Sequence, residues 1–563
     1  MSSVADCSAS LVLVFPPPVH PTGPPLGVAS LAAWMRRRFG QGSVRALDLN
    51  LAHYLQARRW MEDGRLKLKL KGRDRDETVR ETGEAFDVFT GLRGMGPFMD
   101  SEAYEGFAST YRSFESVWNG LLDHCARKAL AGLPVPPLIE AYWDELAAPL
   151  MRWKPRLAGF SVLFSRQLVF ALALARRVKA YGGRVVLGGA ALSTMPDPQG
   201  LLAEETIFEV AGKPRPVNVR RLVDFIVMGE GEEGLAELAD RLDGDRSRVP
   251  GLAYRENGRV LTNAPRMVED LTKLPPPDFA DFPLRRYHSP QTVLPYGASR
   301  GCFWQRCAFC THSRSYLAYR EEPVARTVFH LEELAEKLGT RHFALVDEMI
   351  HPRRFAALSR RLEDRASGIF YSAYAKPTRG FGRSLLERAY RSGSRVMLWG
   401  VESGSPRVLA LMRKGQRLED VERILGESHE AGIWNLVFLL FGFPTETGEE
   451  WDATLDLLRR HGGHIDALST SRFVLTPGSR IHEEPEAFHV RLLPERSYRD
   501  PVSTGCAYEA TRGLTPEEIL ARFQGQRGFL ETFGRSGHLG VFRDHLLVKA
   551  AAASRPSSGA ARA

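Results

Sequence analysis

Five apolar residues, Leu11 to Phe15, run unbroken and stop at three prolines, Pro16 to Pro18. Such a run predicts a strand buried on both faces and ending in a loop. A helical pattern over Gly27–Arg38 follows. Further strand-like runs lie at Ser43–Leu49, Leu157–Leu163, Arg184–Gly189 and Phe225–Met228, with a helix-like Gln167–Ala180 between two of them. Strands alternating with helices predict a parallel sheet, so residues 1–245 read as an α/β, Rossmann-like domain. Residues 50–153 interrupt it: they are helical and charged, without strand alternation, and read as an inserted helical segment. Three strands run into small or turn-forming residues, namely Ser161, the pair Gly188 and Gly189, and Gly229-Glu230-Gly231. Ligands of an open parallel sheet sit beyond the carboxyl ends of its strands, where glycine permits close backbone approach. Ser161, Gly188, Gly189, Gly229 and Gly231 are therefore candidate cofactor contacts.

Residues 246–284 combine a hairpin signal with a linker. Asn257-Gly258 separates two strand-like runs within Gly251–Thr262, a hairpin expected to bridge two domains, and prolines stiffen Leu271–Leu284. Alternation then resumes over residues 285–490, with strand candidates at Val293–Ala298, His342–Val346, Ile369–Ala375, Arg395–Trp399, Leu436–Phe441 and Leu468–Leu475. Helical patterns such as Val328–Leu338 and Glu419–Ala431 separate them. Six strand–helix units fit a partial (β/α)6 barrel better than a doubly wound sheet. Residues 491–549 read as a C-terminal helical region and residues 550–563 as a small, polar, disordered tail.

Composition narrows this picture a little. A chain of 563 residues is too long for one core. Apolar content of 44% and charged content of 25% exclude disordered and fibrous classes. The apolar stretch Leu436–Phe443 is far short of the ~20 residues a membrane helix needs, and the N-terminal run lacks a basic leader, so a cytoplasmic protein is expected. Net charge of +9 could attract an anionic substrate, but so small an excess spread over a chain with 76 Lys and Arg reads as ordinary solvated surface.

The cysteines change the picture most. Three of the six crowd into residues 302–310, while Cys7, Cys125 and Cys506 are scattered, which argues against a disulfide framework. The segment Ala298–Ser313, ASRGCFWQRCAFCTHS, puts Cys302, Cys307 and Cys310 on the loop after the first barrel strand. Thiolates select iron–sulfur clusters or zinc, and three of them leave one iron of a cluster open to a further ligand. The alternative is zinc, with His312 as a fourth ligand. A zinc knuckle normally has a second pair of ligands downstream, and none follows.

Three clustered cysteines with Phe309 before the last, on the first βα loop of a partial barrel, resemble the radical S-adenosylmethionine (SAM) superfamily. Four residues separate Cys302 from Cys307 where that superfamily usually has three. The segments GVESGSPRVLALMRKG (Gly400–Gly415) and GFPTET (Gly442–Thr447) are similar to motifs of the subgroup holding methylthiotransferases and cobalamin-dependent enzymes. The resemblance implies a 4Fe–4S cluster on the three cysteines, Glu402 and Ser403 at the methionine or ribose part of SAM, and Phe309 near the adenine. Glu402 could instead cap the helix after Gly404. Asp347 and Glu348 could line the cavity or be solvated, and Lys376 could reach an anionic group or sit at the rim.

The N-terminal domain, through LVLVFPPP, GFSVLFS, VVLGGA and MGEGE, looks like the cobalamin-binding domain of cobalamin-dependent radical SAM enzymes. No Asp-x-His-x-x-Gly motif is present, so cobalamin would bind without the histidine that motif supplies. The alternative is a Rossmann-like domain that only covers the barrel. The resemblance implies a methyltransferase acting through a 5′-deoxyadenosyl radical on an unactivated carbon of a peptide or small natural product, with a reductase or flavodoxin-type electron donor. The rivals are a radical enzyme that rearranges or oxidises without methyl transfer, and a metal-binding nucleic-acid protein.

Overall fold

The computed structural model describes residues 11–312, 318–494, 500–531, 533–535 and 537–553. Among these residues two large sheets dominate, one of seven strands in the order β2-β1-β3-β4-β7-β8-β9 and one of six in the order β10-β13-β14-β15-β16-β17.

The first sheet starts at β1 (Leu11–Phe15), all five residues of which are buried. It lies between β2 (Val44–Asp48) and β3 (Leu157–Ser161), parallel to both. Next come β4 (Arg184–Gly188) and, after a small excursion hairpin of β5 (Thr206–Val210) and β6 (Lys213–Val217), β7 (Phe225–Val227). That excursion is invisible in the apolar pattern because Lys213-Pro214-Arg215-Pro216 is exposed on both faces. The Asn257-Gly258 hairpin forms as expected, with both residues at positive φ (50° and 76°), the geometry of a primed turn. Its place differs from the expectation. Strands β8 (Leu252–Glu256) and β9 (Arg259–Thr262) add antiparallel to β7 and finish the first sheet, rather than bridging two domains.

Residues 49–153 hold four long helices, Leu49–Glu62, Arg75–Phe89, Ser101–Leu130 and Pro137–Trp153. Asp48, Asp74 and Asp100 cap the first three by accepting backbone N–H bonds. The helices bury Trp60, Trp118, Tyr142 and Trp143 against one another. Packing, not alternation, holds this segment together. The linker is tied down: buried Arg36 donates to Asp278 at 2.6 Å and to Asp281, and Asp281 also accepts from Ala46 N at 2.7 Å.

The second sheet runs β10 (Val293–Tyr296), β13 (His342–Leu345), β14 (Phe370–Ala375), β15 (Ser394–Glu402), β16 (Trp434–Phe441) and β17 (Ala467–Arg472), all parallel and in chain order. It is the expected open barrel. Phe343, Tyr371, Met397, Trp399 and Val437 face outward into a core shared with Leu331, Phe355, Leu386, Ile424 and Trp451 of the flanking helices. Val396, Leu398 and Leu436 face the lumen, where the helix Arg543–Ala553 packs on β13, β14 and β15. A sheet covered on both faces has continuous rather than alternating apolar strands, which is how these strands read. Beyond residue 490 the chain is less uniformly helical than expected: β18 (Val490–Leu492) pairs antiparallel with β19 (Tyr508–Ala510) ahead of helices Pro516–Gly525, Arg527–Glu531 and Arg543–Ala553. Ala550–Ala553, expected in the disordered tail, close that last helix; the rest of the tail lies outside the described residues.

Candidate active site

The chain leaves the barrel after Tyr296, pairs Ser299–Arg300 (β11) antiparallel with Arg320–Glu321 (β12), and sends out between them the loop bearing the cysteines. Cys302, Cys307 and Cys310 are free thiols, each partly buried. Burial raises the thiol of Cys307 and pushes that of Cys310 up to about 12, and the three lie near enough to feel one another's charge. Burial so disfavours the charged forms of Cys307 and Cys310 that these two thiols do not ionise alone at neutral pH. A metal that coordinates them deprotonates them outright, and two neighbouring lysines supply positive charge to balance the thiolates. The donor set therefore fits an iron–sulfur cluster.

Of those lysines, Lys376 directly follows β14 and Lys414 lies in the loop after the helix Pro406–Leu411. Lys414 donates to Glu402 at 2.7 Å and its ammonium lies 5.9 Å from the Phe309 ring centroid. Burial opposes the Lys414 charge, but Glu402 and the neighbouring thiols hold it above its ordinary value. Lys376 is 5% exposed, donates to the Lys414 carbonyl at 3.0 Å and sits 3.2 Å from the Trp304 ring centroid. Trp304 Nε1 donates to the Arg413 carbonyl at 2.8 Å, and a Cβ on Gly415 (φ 64°) would lie 2.1 Å from the Trp304 ring. The RKG end of the Gly400–Gly415 segment thus folds back on its own beginning and on the cysteine loop.

Glu402 ends β15 at a bulge with φ 69°, a conformation costly for a residue with a Cβ and found at functional sites. It caps nothing: the helix Pro406–Leu411 is capped by Ser405. Ser403 does not join it. Its side chain is fully buried, accepting from Ser405 N at 3.1 Å and lying 3.4 Å from Thr454 Oγ1, so its hydroxyl serves packing against the helix Gly448–His461 rather than a ligand. Asp347 is buried and accepts from Ser299 Oγ, bracing the start of the loop. Glu348 lies 2.5 Å from His312 Nδ1.

The carboxyl edge of the first sheet is built differently. A Cβ on Gly189 (φ 103°) would lie 2.5 Å from the Val162 carbonyl, so only glycine lets β4 turn there. Gly229 N donates to Ser193 Oγ at 2.9 Å and, with Ser193, Met228, Asn263 and Pro265, lines a cavity of about 480 Å³. Ser161 closes β3 half-buried beside Gly27. Gly188 and Gly231 instead serve close packing, against the Val227 carbonyl and Leu31 respectively. Just past β3, Leu163 and Phe164 are 45% and 54% exposed, an apolar shelf at the carboxyl edge of the sheet. The two carboxyl edges meet: a Cβ on Gly297 would stand 3.7 Å from Leu26 of the first domain and 4.0 Å from Val346 of the barrel.

The apolar pattern did not single out Lys414, Trp304, or the carboxylates of Glu230 and Glu232, which pair with Arg300 and Arg320 at the two ends of the cysteine loop. Their signal was present as the charged letters of MGEGE and of the arginines flanking the loop. Nothing in a single sequence says that these segments meet.

A family model described as the radical SAM superfamily matches residues 297–458. Over 317 residues the chain is 27% identical to an uncharacterized methyltransferase of Pyrococcus horikoshii, spanning 53% of this chain and 68% of the relative. It is 26% identical over 317 residues to bacteriochlorophyllide d C-12(1)-methyltransferase of Chlorobaculum tepidum, spanning 55% of this chain and 61% of that protein. Among solved structures, the radical SAM methyltransferase TsrM from Kitasatospora setae, with cobalamin and a 4Fe–4S cluster bound, matches with TM-score 0.58 at 17% identity, covering 97% of this chain and 99% of that one. The cobalamin-dependent SAM radical enzyme OxsB matches with TM-score 0.59 at 15% identity, covering 92% and 67%. The cysteine loop on the first barrel strand, the sequence match over the barrel and the two-sheet fold agree: residues 297–458 match the radical SAM superfamily, and the chain as a whole shares the fold of TsrM and OxsB.

Proposed function

We propose that this protein is a cobalamin-dependent radical SAM methyltransferase that acts on an unactivated carbon of a small natural product or peptide. The observation that carries the reading is the meeting of two carboxyl edges, one bearing three thiols and two lysines, the other a glycine-lined apolar shelf. When bound, the cluster supplies the electron that cleaves SAM to methionine and a 5′-deoxyadenosyl radical, and the corrin supplies a carrier for the methyl group. Cys302, Cys307 and Cys310 would hold the cluster. The Glu402 carboxylate, paired with Lys414, would accept from the amino or hydroxyl donors of SAM, with Phe309 near its adenine. Ser161, Gly189, Gly229 and Ser193 would approach the corrin, with Leu163 and Phe164 beneath its apolar face. A reductase or flavodoxin-type protein would deliver the electron.

The test is mass spectrometry of products after anaerobic incubation of the reconstituted protein with cobalamin, reductant and SAM. Formation of 5′-deoxyadenosine together with S-adenosylhomocysteine supports methyl transfer; 5′-deoxyadenosine alone replaces it with a radical rearrangement or oxidation; neither product overturns the reading.

A further inference from the structure

The strands that close the cysteine loop carry a like-charge pair. Arg300 and Arg320 are direct cross-strand partners in the two-residue ladder β11–β12, and like charges so placed repel. Glu230, from the first domain, lies between them: its carboxylate is 3.0 Å from Arg300 NH1 and 2.5 Å from Arg320 NH2, and it accepts from Val268 N at 2.7 Å. Glu232 takes Arg300 in a two-pronged pair, one prong at 3.2 Å. The two carboxylate side chains are 3% and 6% exposed, and the arginines 20% and 11%. Arg320 also donates to the Val268 carbonyl at 2.5 Å. Gly229 (φ 78°) turns the chain so that Glu230 leaves the first sheet towards the barrel. Cys302 follows Arg300 by two residues, and Gly229 and Glu230 line the cavity at the edge of β7.

We propose that Glu230 and Glu232 are positioning residues for the cluster: they cancel the repulsion between the two arginines, keep the base of the cysteine loop closed, and set the cluster at a fixed place relative to the ligand edge of the first domain. The inference rests on the reading of the three cysteines as cluster ligands. Bidentate, charge-assisted pairs hold geometry as well as charge.

The experiment uses the full-length chain with E230Q and E232Q combined. In the apo protein, alkylation of Cys302, Cys307 and Cys310 by iodoacetamide, read by peptide mass spectrometry, is expected to speed up by roughly tenfold as the loop base opens. After anaerobic reconstitution, the change that SAM makes in the electron paramagnetic resonance spectrum of the reduced cluster should weaken, with KM for SAM rising more than kcat falls. The comparison variant D278N/D281N removes the partly buried partners of buried Arg36, away from the loop; it should lower the melting temperature while leaving alkylation and spectrum as in the wild type. If the double variant fails to fold, Glu232→Gln alone, which leaves Glu230 bridging both arginines, should show a smaller change of the same sign. Wild-type alkylation and spectrum in a folded E230Q/E232Q, or the same changes in D278N/D281N, overturn the proposal. A wild-type protein that takes up no iron and sulfide overturns the cluster reading instead, and the apo alkylation rates still decide whether the carboxylates close the loop.

Discussion

The two parallel sheets face each other with the same edge, yet they equip it in opposite ways. The barrel edge carries its chemistry on side chains: three thiols, the Glu402–Lys414 pair, and Lys376 over Trp304. The first sheet offers mostly backbone and apolar surface: Gly189 and Gly229 in left-handed conformations, with Leu163 and Phe164 exposed beside them. Under the proposed function, the contrast matches what each edge would hold. A cluster needs soft, charged donors at fixed positions. A broad corrin plate needs close approach and apolar contact more than any single side chain. A reaction-centre motif is therefore recognisable letter by letter, whereas a plate-binding edge shows only as glycines that could be ordinary turns.

Three substitutions break or sharpen this contrast. Cys307→Ala should have the largest effect, abolishing cluster uptake measured as iron and labile sulfide per chain and reducing 5′-deoxyadenosine to background, with cobalamin uptake by the first domain retained. A mutant that keeps its cluster and its turnover would remove the assignment of the barrel edge. Gly189→Ala should do the reverse. Its new Cβ would strike the Val162 carbonyl and force a strained φ, costing at least ~1–3 kcal/mol, so corrin uptake followed by visible absorbance should fall while iron and sulfide content stays. Equal loss of both would mean that the two edges are not independent.

Glu446→Gln should give the smallest effect and concerns stability alone. Glu446, in the GFPTET segment, is 1% exposed and accepts from Gly442 N at 2.6 Å, while its other oxygen has no hydrogen-bond partner among the described residues. Burial pushes its carboxyl up to about 7 from the ordinary 4.5. A raised acid pKa favours folding when the group is protonated, so its contribution is complete below pH 4.5 and is lost as pH rises through 4.5 to 7. The neutral glutamine should raise the melting temperature at pH 8, by a stability gain on the order of 1 kcal/mol, and leave it unchanged at pH 4. A loss at pH 8 would show that the carboxylate is stabilised by contacts beyond Gly442.

Much of the fold was legible because it follows short periods. Strand candidates such as Leu11–Phe15 and His342–Val346 match observed strands within a residue or two, since a short apolar run ended by prolines or by acidic residues has few other ways to be satisfied. The hairpin at Asn257-Gly258 was legible as a hairpin, but its docking on β7 was not, because turn chemistry fixes a strand's partner in the hairpin and says nothing about its other edge. Ser403 illustrates the same limit. Beside Glu402 in sequence, it points the other way because a bulge and Gly404, pressed against the helix Gly448–His461, turn the chain inward.

By itself, then, the sequence determined the alternating elements, the three thiols on one loop and the glycines at strand ends, all of them consequences of local periodicity, backbone freedom and donor chemistry. Only the tertiary structure decided which charges meet. Lys414 reaches Glu402, and Glu230 and Glu232 reach Arg300 and Arg320, because the partner of a charged side chain is set by where distant elements come to rest, and a buried charge persists there only when the fold brings its counterion to it.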